Sequence, residues 1–112
     1  MRTDINPHDG EYTYLDTQTH AYLVVPMYEV LALELADKIS EYSYTDGTTV
    51  YLEEDLDAWS FCTAYAYAKD EPIRYGNIKY ITAEKWQDKL KSLERFNPRM
   101  SARVVGYGEV KK

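Results

Sequence analysis

The chain has one cysteine, Cys62, in 112 residues. A lone thiol cannot close an internal disulfide, so nothing points to an oxidising compartment. Long apolar runs are missing too, and no stretch approaches the roughly 18 apolar residues of a membrane span. The opening MRTDINPHDG lacks the apolar core of a secretory signal, so neither export nor a membrane partner is expected. Histidine is confined to His8 and His20, which lack the close Cys/His spacing of a zinc site. Glycine is sparse and builds no phosphate-cradling loop, and no serine stands in a G-x-S-x-G elbow. Cys62 lies between Trp59 and Ala66 on a helical pattern, where cysteine packs as a small hydrophobe. These absences argue against most enzymes, so no catalytic residue, no cofactor and no metal is expected.

Tyrosine is what the chain has in excess, with twelve copies. Its apolar ring and polar tip suit half-buried sheet faces and protein interfaces. The length is that of one domain, residues 1–112, with 1–10 and 108–112 expected as flexible ends. Charge is divided unevenly along it. Residues 1–72 hold fifteen acids against Arg2, Lys38 and Lys69, a balance of −12, whereas residues 73–112 hold ten Lys or Arg against four acids, a balance of +6. Either half can engage a charged partner, and the two can partly neutralise each other in the fold.

Two strand-like runs, EYTYL (11–15) and HAYLVV (20–25), flank the polar DTQT and predict a hairpin that Pro26 closes. Met27, Leu31, Leu35 and Ile39 recur every four residues and predict an amphipathic helix over 27–39. Asp46-Gly47 predicts a second hairpin between strands at 41–45 and 48–53. A second helix is expected over 56–69, buried along Leu56, Trp59, Thr63 and Ala66. IRYGNIKYI (73–81) reads as one strand, and Thr82 as the N-cap of a third helix with Trp86, Leu90, Leu93 and Phe96 on its apolar stripe. A short strand is expected at 102–107. The order implies an α+β domain, with an antiparallel or mixed sheet packed against about three helices.

The stretch TVYLEEDLDAW (49–59) sets Glu53, Glu54, Asp55 and Asp57 where a strand hands over to a helix. Asp55 or Asp57 can accept hydrogen bonds from the first free helical amides, and each acid there gains about 0.3–1 kcal/mol from the positive helix end. A calcium loop alternates its ligands around a glycine; here the acids are contiguous and Gly47 precedes them. A magnesium site on Glu53, Asp55 and Asp57 would need substrate phosphates to complete it. Adjacent exposed acids stay ionised, unlike a general-acid pair set across a cleft. Two roles remain, helix-start architecture and a docking surface.

As a docking surface, Glu53, Glu54, Asp55 and Asp57 with Tyr42, Tyr44 and Tyr51 imitate the charge of a nucleic-acid backbone and face a host protein with a basic surface. Reversing Glu53, Glu54 and Asp57 to Lys is then expected to weaken binding and leave the fold intact. The alternative is nucleic-acid binding through Lys85, Lys89, Arg95, Arg99 and Arg103, which a net charge of −6 disfavours. Opposite charge on the two halves also permits a homo-oligomer. An enzyme would reveal itself by a deep pocket joining Asp57, His20 and Tyr51.

HAYLVVPMYEVLAL, followed by DKISEYSYTDGTTVYLEEDLDAWSF, resembles a group of small proteins encoded by bacteriophages, prophages and plasmids. The shared pattern is a strand ending in Val-Pro, a helix, and an I-S-x-Y-S-Y…Y-L-E-E-D-x-D-A block. It covers about residues 20–61 and is carried by His20, Pro26, Ser40, Tyr42, Tyr44, Tyr51, Glu53, Glu54, Asp55 and Asp57; the C-terminal third lies outside it. The resemblance brings no established activity. It implies a mobile-element protein in the cytoplasm of a bacterial host, and by analogy an anti-defence inhibitor that binds restriction or CRISPR machinery.

Overall fold

The first hairpin forms as its two strand-like runs and the polar turn between them predict, and the sheet grows outward from it. The computed structural model describes residues 11–96, so the expectations placed on His8, Arg99, Arg103, the chain ends and the strand at 102–107 lie outside the described residues. The strands are β1 (Tyr12–Asp16), β2 (Ala21–Pro26), β3 (Tyr44–Thr45), β4 (Thr49–Glu53), β5 (Ile78–Thr82) and β6 (Glu94–Arg95). The helices are α1 (Met27–Ala32), α2 (Asp57–Lys69) and α3 (Trp86–Lys91). The strands make one sheet in the order β5-β1-β2-β4-β3-β6, with β5 parallel to β1 and every other pair antiparallel. The domain is α+β with a mixed sheet.

Side chains alternate across the strands and so build two cores. Leu23, Val25, Val50 and Leu52 face α1 and α2 and pack with Tyr12, Val30 and Phe61. On the opposite face Leu15, Tyr22, Tyr44 and Tyr51 pack under Leu90 of α3. Tyrosine thus lines the α3 face and aliphatic residues the other. The Asp46-Gly47 turn closes β3 onto β4, with Gly47 at φ +99°. Burial of the Asp46 carboxyl opposes its ionisation, but the Thr48 and Thr49 amides donate to it at 3.0 and 2.8 Å and the net effect holds it below the usual carboxylate range.

Helix α1 stops at Ala32 instead of running to Ile39. Glu34 takes the left-handed φ of 59°, Glu34 N–H donates to Leu31 C=O, and Leu35 N–H reaches back to Val30 C=O. This double reverse bond is the usual helix-ending motif, here without the glycine that normally marks it. Leu35 and Ile39 are nonetheless buried, delivered by successive turns. The four-residue spacing therefore reported burial correctly and the backbone incorrectly.

Helix α2 buries a different face from the one expected. Ala58, Phe61 and Tyr65 enter the core, while Leu56, Trp59 and Thr63 face outward. Both triplets satisfy the i, i+3, i+7 rule, because no charged residue between Asp57 and Lys69 distinguishes the faces. Thr82 ends β5 and does not cap α3, whose N-cap is Lys85. Residues 75–77 form a single 3-10 turn before β5. Phe96 leaves the α3 stripe and packs in the α1/α2 core beyond β6. Among the described residues no helix is long and apolar enough to cross a membrane.

Candidate functional site

The four acids that end β4 and begin α2 divide into one buried anchor and three surface groups. Asp57 is 1% exposed. Its carboxylate accepts hydrogen bonds from Ser40 N–H at 3.0 Å, Ser40 Oγ at 2.6 Å and Ser43 Oγ at 2.5 Å. Ser43 Oγ in turn accepts from Glu53 N–H at 2.9 Å. This network ties the 40–43 loop to the end of β4. Asp57 is therefore no part of a docking surface, and it cannot join Glu53 and Asp55 on a metal. Neither does an acid cap α2: the N-cap is Leu56, and no side chain bonds to the free amides.

Glu54 and Asp55 project from the turn between β4 and α2, with Glu53 half-buried beside them. The Asp57 network holds Tyr42 on the adjacent loop, where it is 60% exposed. Leu56 at 49% and Trp59 at 69% exposure continue the apolar surface along α2. Tyr42, Glu53, Asp55 and Leu56 thus share one rim, and Trp59 follows Leu56 about one turn further along α2. Among the described residues the Glu53 and Asp55 side chains enter no ion pair. Tyr44 and Tyr51, expected on this surface, are buried instead in the α3-side core, where Tyr44 packs against Tyr22 and Tyr51 against Trp86.

Beside the rim opens a cleft of about 480 Å³ on the α3 face of the sheet. Its lining brings Glu53, Asp55 and Tyr42 together with the cations Lys91 and Arg95 and with Tyr22, Tyr44 and His20. Arg95 lies over the Tyr44 ring, 5.0 Å from its centre, and donates to Glu41 C=O at 2.9 Å. The cleft that holds His20 includes neither Asp57 nor Tyr51 in its lining, so the three residues that would mark an enzyme do not meet there. Among the described residues no three His, Cys, Asp or Glu side chains converge as metal ligands. Half-burial pushes the Cys62 thiol up, which favours its unreactive protonated form.

Of the alternative basic set, Lys85, Lys89 and Arg95 are exposed. Lys89 stacks over Trp86, with Nζ 4.2 Å from the ring centre. Leu56 and Trp59 are the surface residues that sequence reasoning missed. The signal was present in the uncharged α2 segment, which offered two apolar faces to a sheet able to bury only one.

Glu54 is held from the other side, accepting a hydrogen bond from Tyr14 Oη at 3.1 Å. Burial, this hydrogen bond and the charges of Glu54, Asp16 and Asp55 push the Tyr14 hydroxyl up to about 12. Burial also raises Tyr22 and Tyr51. A tyrosine pKa that is higher in the folded state means the folded state retains the proton longer. Its stabilising contribution is complete below pH about 10 and is lost as pH rises from there towards about 12. Glu54→Gln is expected to bring the Tyr14 midpoint part of the way down, since burial persists. Ring-carbon NMR of labelled tyrosine across alkaline pH, assigned with Tyr14→Phe, measures it; an unmoved midpoint would remove Glu54 as a cause.

No protein-family model, curated protein or solved structure matches the chain.

Proposed function

We propose that the chain is a non-enzymatic binding protein of a bacteriophage or related mobile element. It docks the rim of Glu53, Glu54, Asp55, Tyr42, Leu56 and Trp59 onto a basic host protein. One observation carries the reading: exposed aromatic and aliphatic side chains stand beside carboxylates that, among the described residues, make no ion pair. Exposed aromatics supply the buried anchors of interfaces, and the surrounding charges steer approach and set specificity. A defence nuclease or another nucleic-acid enzyme is the partner class such acids suit, because its groove is basic, and this chain would act as its inhibitor. The phage and anti-defence context rests on the resemblance of residues 20–61.

The test is affinity capture from the bacterial host, with and without nuclease, comparing the parent with Glu53→Lys/Asp55→Lys. The parent is expected to hold a nuclease-resistant basic protein, and the double variant, folded as judged by circular dichroism, to bind it about tenfold more weakly. Equal binding by both proteins would remove the acids from the interface. Capture only of nuclease-sensitive material would transfer the function to Lys85, Lys89 and Arg95.

A further inference from the structure

The sheet has two edges, and they differ. β6 is two residues long, whereas β5 presents five, Ile78-Lys79-Tyr80-Ile81-Thr82. Among the described residues β5 pairs only with β1, and Tyr80 is 58% and Ile81 39% exposed. Ala83 N–H donates to Asp16 C=O at 2.9 Å. The two-residue period of the ladder then turns the Lys79 and Ile81 backbone towards β1, and the N–H and C=O groups of Ile78, Tyr80 and Thr82 towards the open edge. A long exposed edge rich in β-branched and aromatic residues is a template for another strand.

We infer that β5 pairs antiparallel with β5 of a second copy, about a two-fold axis at Tyr80. In that register Tyr80 meets the partner's Tyr80, and Ile78 meets the partner's Thr82, so all outward-facing groups of the five residues are bonded. Lys79 then lies opposite the partner's Ile81. Shifting the axis to Lys79 would set two lysines directly opposite each other, which is unfavourable. Shifting it to Ile81 would take Ile78 out of the ladder. Charge permits the approach: each copy carries −6, but residues 72–83 contain no acid, so this edge meets its twin without bringing carboxylates together.

The chain's own ends fit the edge less well. Phe96 lies beside β6, and the six steps from there to the strand-like residues from 102 span at most about 22 Å. Reaching the outer side of β5 crosses six strand spacings, about 29 Å. Residues 1–10 hold Asp, Asn, Pro and Gly, which are poor strand formers. The cleft lies towards the β3–β6 side of the sheet, so dimer and host partner can bind together.

Sedimentation velocity over a range of concentrations tests the inference. A single five-residue strand pair is a small interface, so a dissociation constant of order 100 μM is expected. Ile81→Lys sets Lys79 against a second lysine on both sides of the axis and is expected to weaken the dimer about tenfold. Ile81→Glu sets a carboxylate against Lys79 and is expected to retain or tighten it. Ile81 is exposed, so both variants fold, and circular dichroism confirms that. A protein that stays monomeric throughout overturns the proposal, as does a dimer that both substitutions leave unchanged or weaken alike.

Discussion

Replacing Asp57 by alanine is expected to lower the stability of the domain by about 3 kcal/mol, with the melting temperature falling by about 13 °C. The residue is buried at the first turn of α2 and serves Ser40 N–H, Ser40 Oγ and Ser43 Oγ at once. Ser43 is fully buried, so its hydroxyl would have no water to replace the carboxylate. Alanine leaves these donors unmet, and leaving buried polar groups unsatisfied is what makes such a deletion costly. Asparagine, which keeps the shape and one acceptor, should recover part of the loss. Asp55→Ala, on the surface two residues away, should change stability by less than about 0.5 kcal/mol. Urea unfolding of the three variants measures all of this; an alanine variant as stable as the parent would show that the serines do not depend on Asp57. The triple reversal of Glu53, Glu54 and Asp57 is for the same reason not a clean probe of binding. A lysine at position 57 would unfold the site it was meant to test.

Two aromatic residues on α2, two positions apart, should give opposite results. Phe61 is fully buried, edge-on to Tyr12 at 5.5 Å between ring centres and close to Tyr65. Phe61→Ala is expected to cost about 3–5 kcal/mol of stability through lost burial and the cavity left behind. Trp59 points outward from the same helix, so Trp59→Ala should leave stability within about 0.5 kcal/mol of the parent. Its effect should instead appear in binding, about 30-fold in affinity if it is a central anchor of the docking rim. Unfolding curves and partner titration for both variants separate the two roles. A Trp59→Ala protein that binds its partner like the parent would move the interface away from α2.

Much of the sheet was legible because its signals are local. Strand-like composition in 11–15 and 20–25, the Asp46-Gly47 turn and Pro26 each specify their own few residues, and β1, β2 and β4 fall where those signals lie, whereas the strand expected at 41–45 is reduced to Tyr44–Thr45. The ends of helices were less legible. Glu34 stops α1 in a left-handed conformation that glycine usually signals, and Thr82 resembles an N-cap yet serves a strand. Neither outcome depends on the residue alone, since tertiary packing overrides a weak preference. The candidate site was half visible. Glu54, Asp55 and Tyr42 stand on the surface as their composition implied and Glu53 is half-buried beside them, whereas Asp57, Tyr44 and Tyr51 are inside. What decided them was the 40–43 loop and the α3 layer, whose positions no nearby residue encodes.

The parallel pairing of β1 with β5 joins nearly the first described residues to nearly the last secondary structure before α3. Both tight hairpins close over a few residues, so their loop entropy is small, while the β1–β5 ladder pairs residues 66 apart in sequence, such as Tyr12 and Ile78. The strand that offers its free edge to a second molecule is thus also the strand that arrives late. On a ribosome it would emerge after its hairpin partners had already paired. Until it docks, β1 itself is the open border of the nascent sheet.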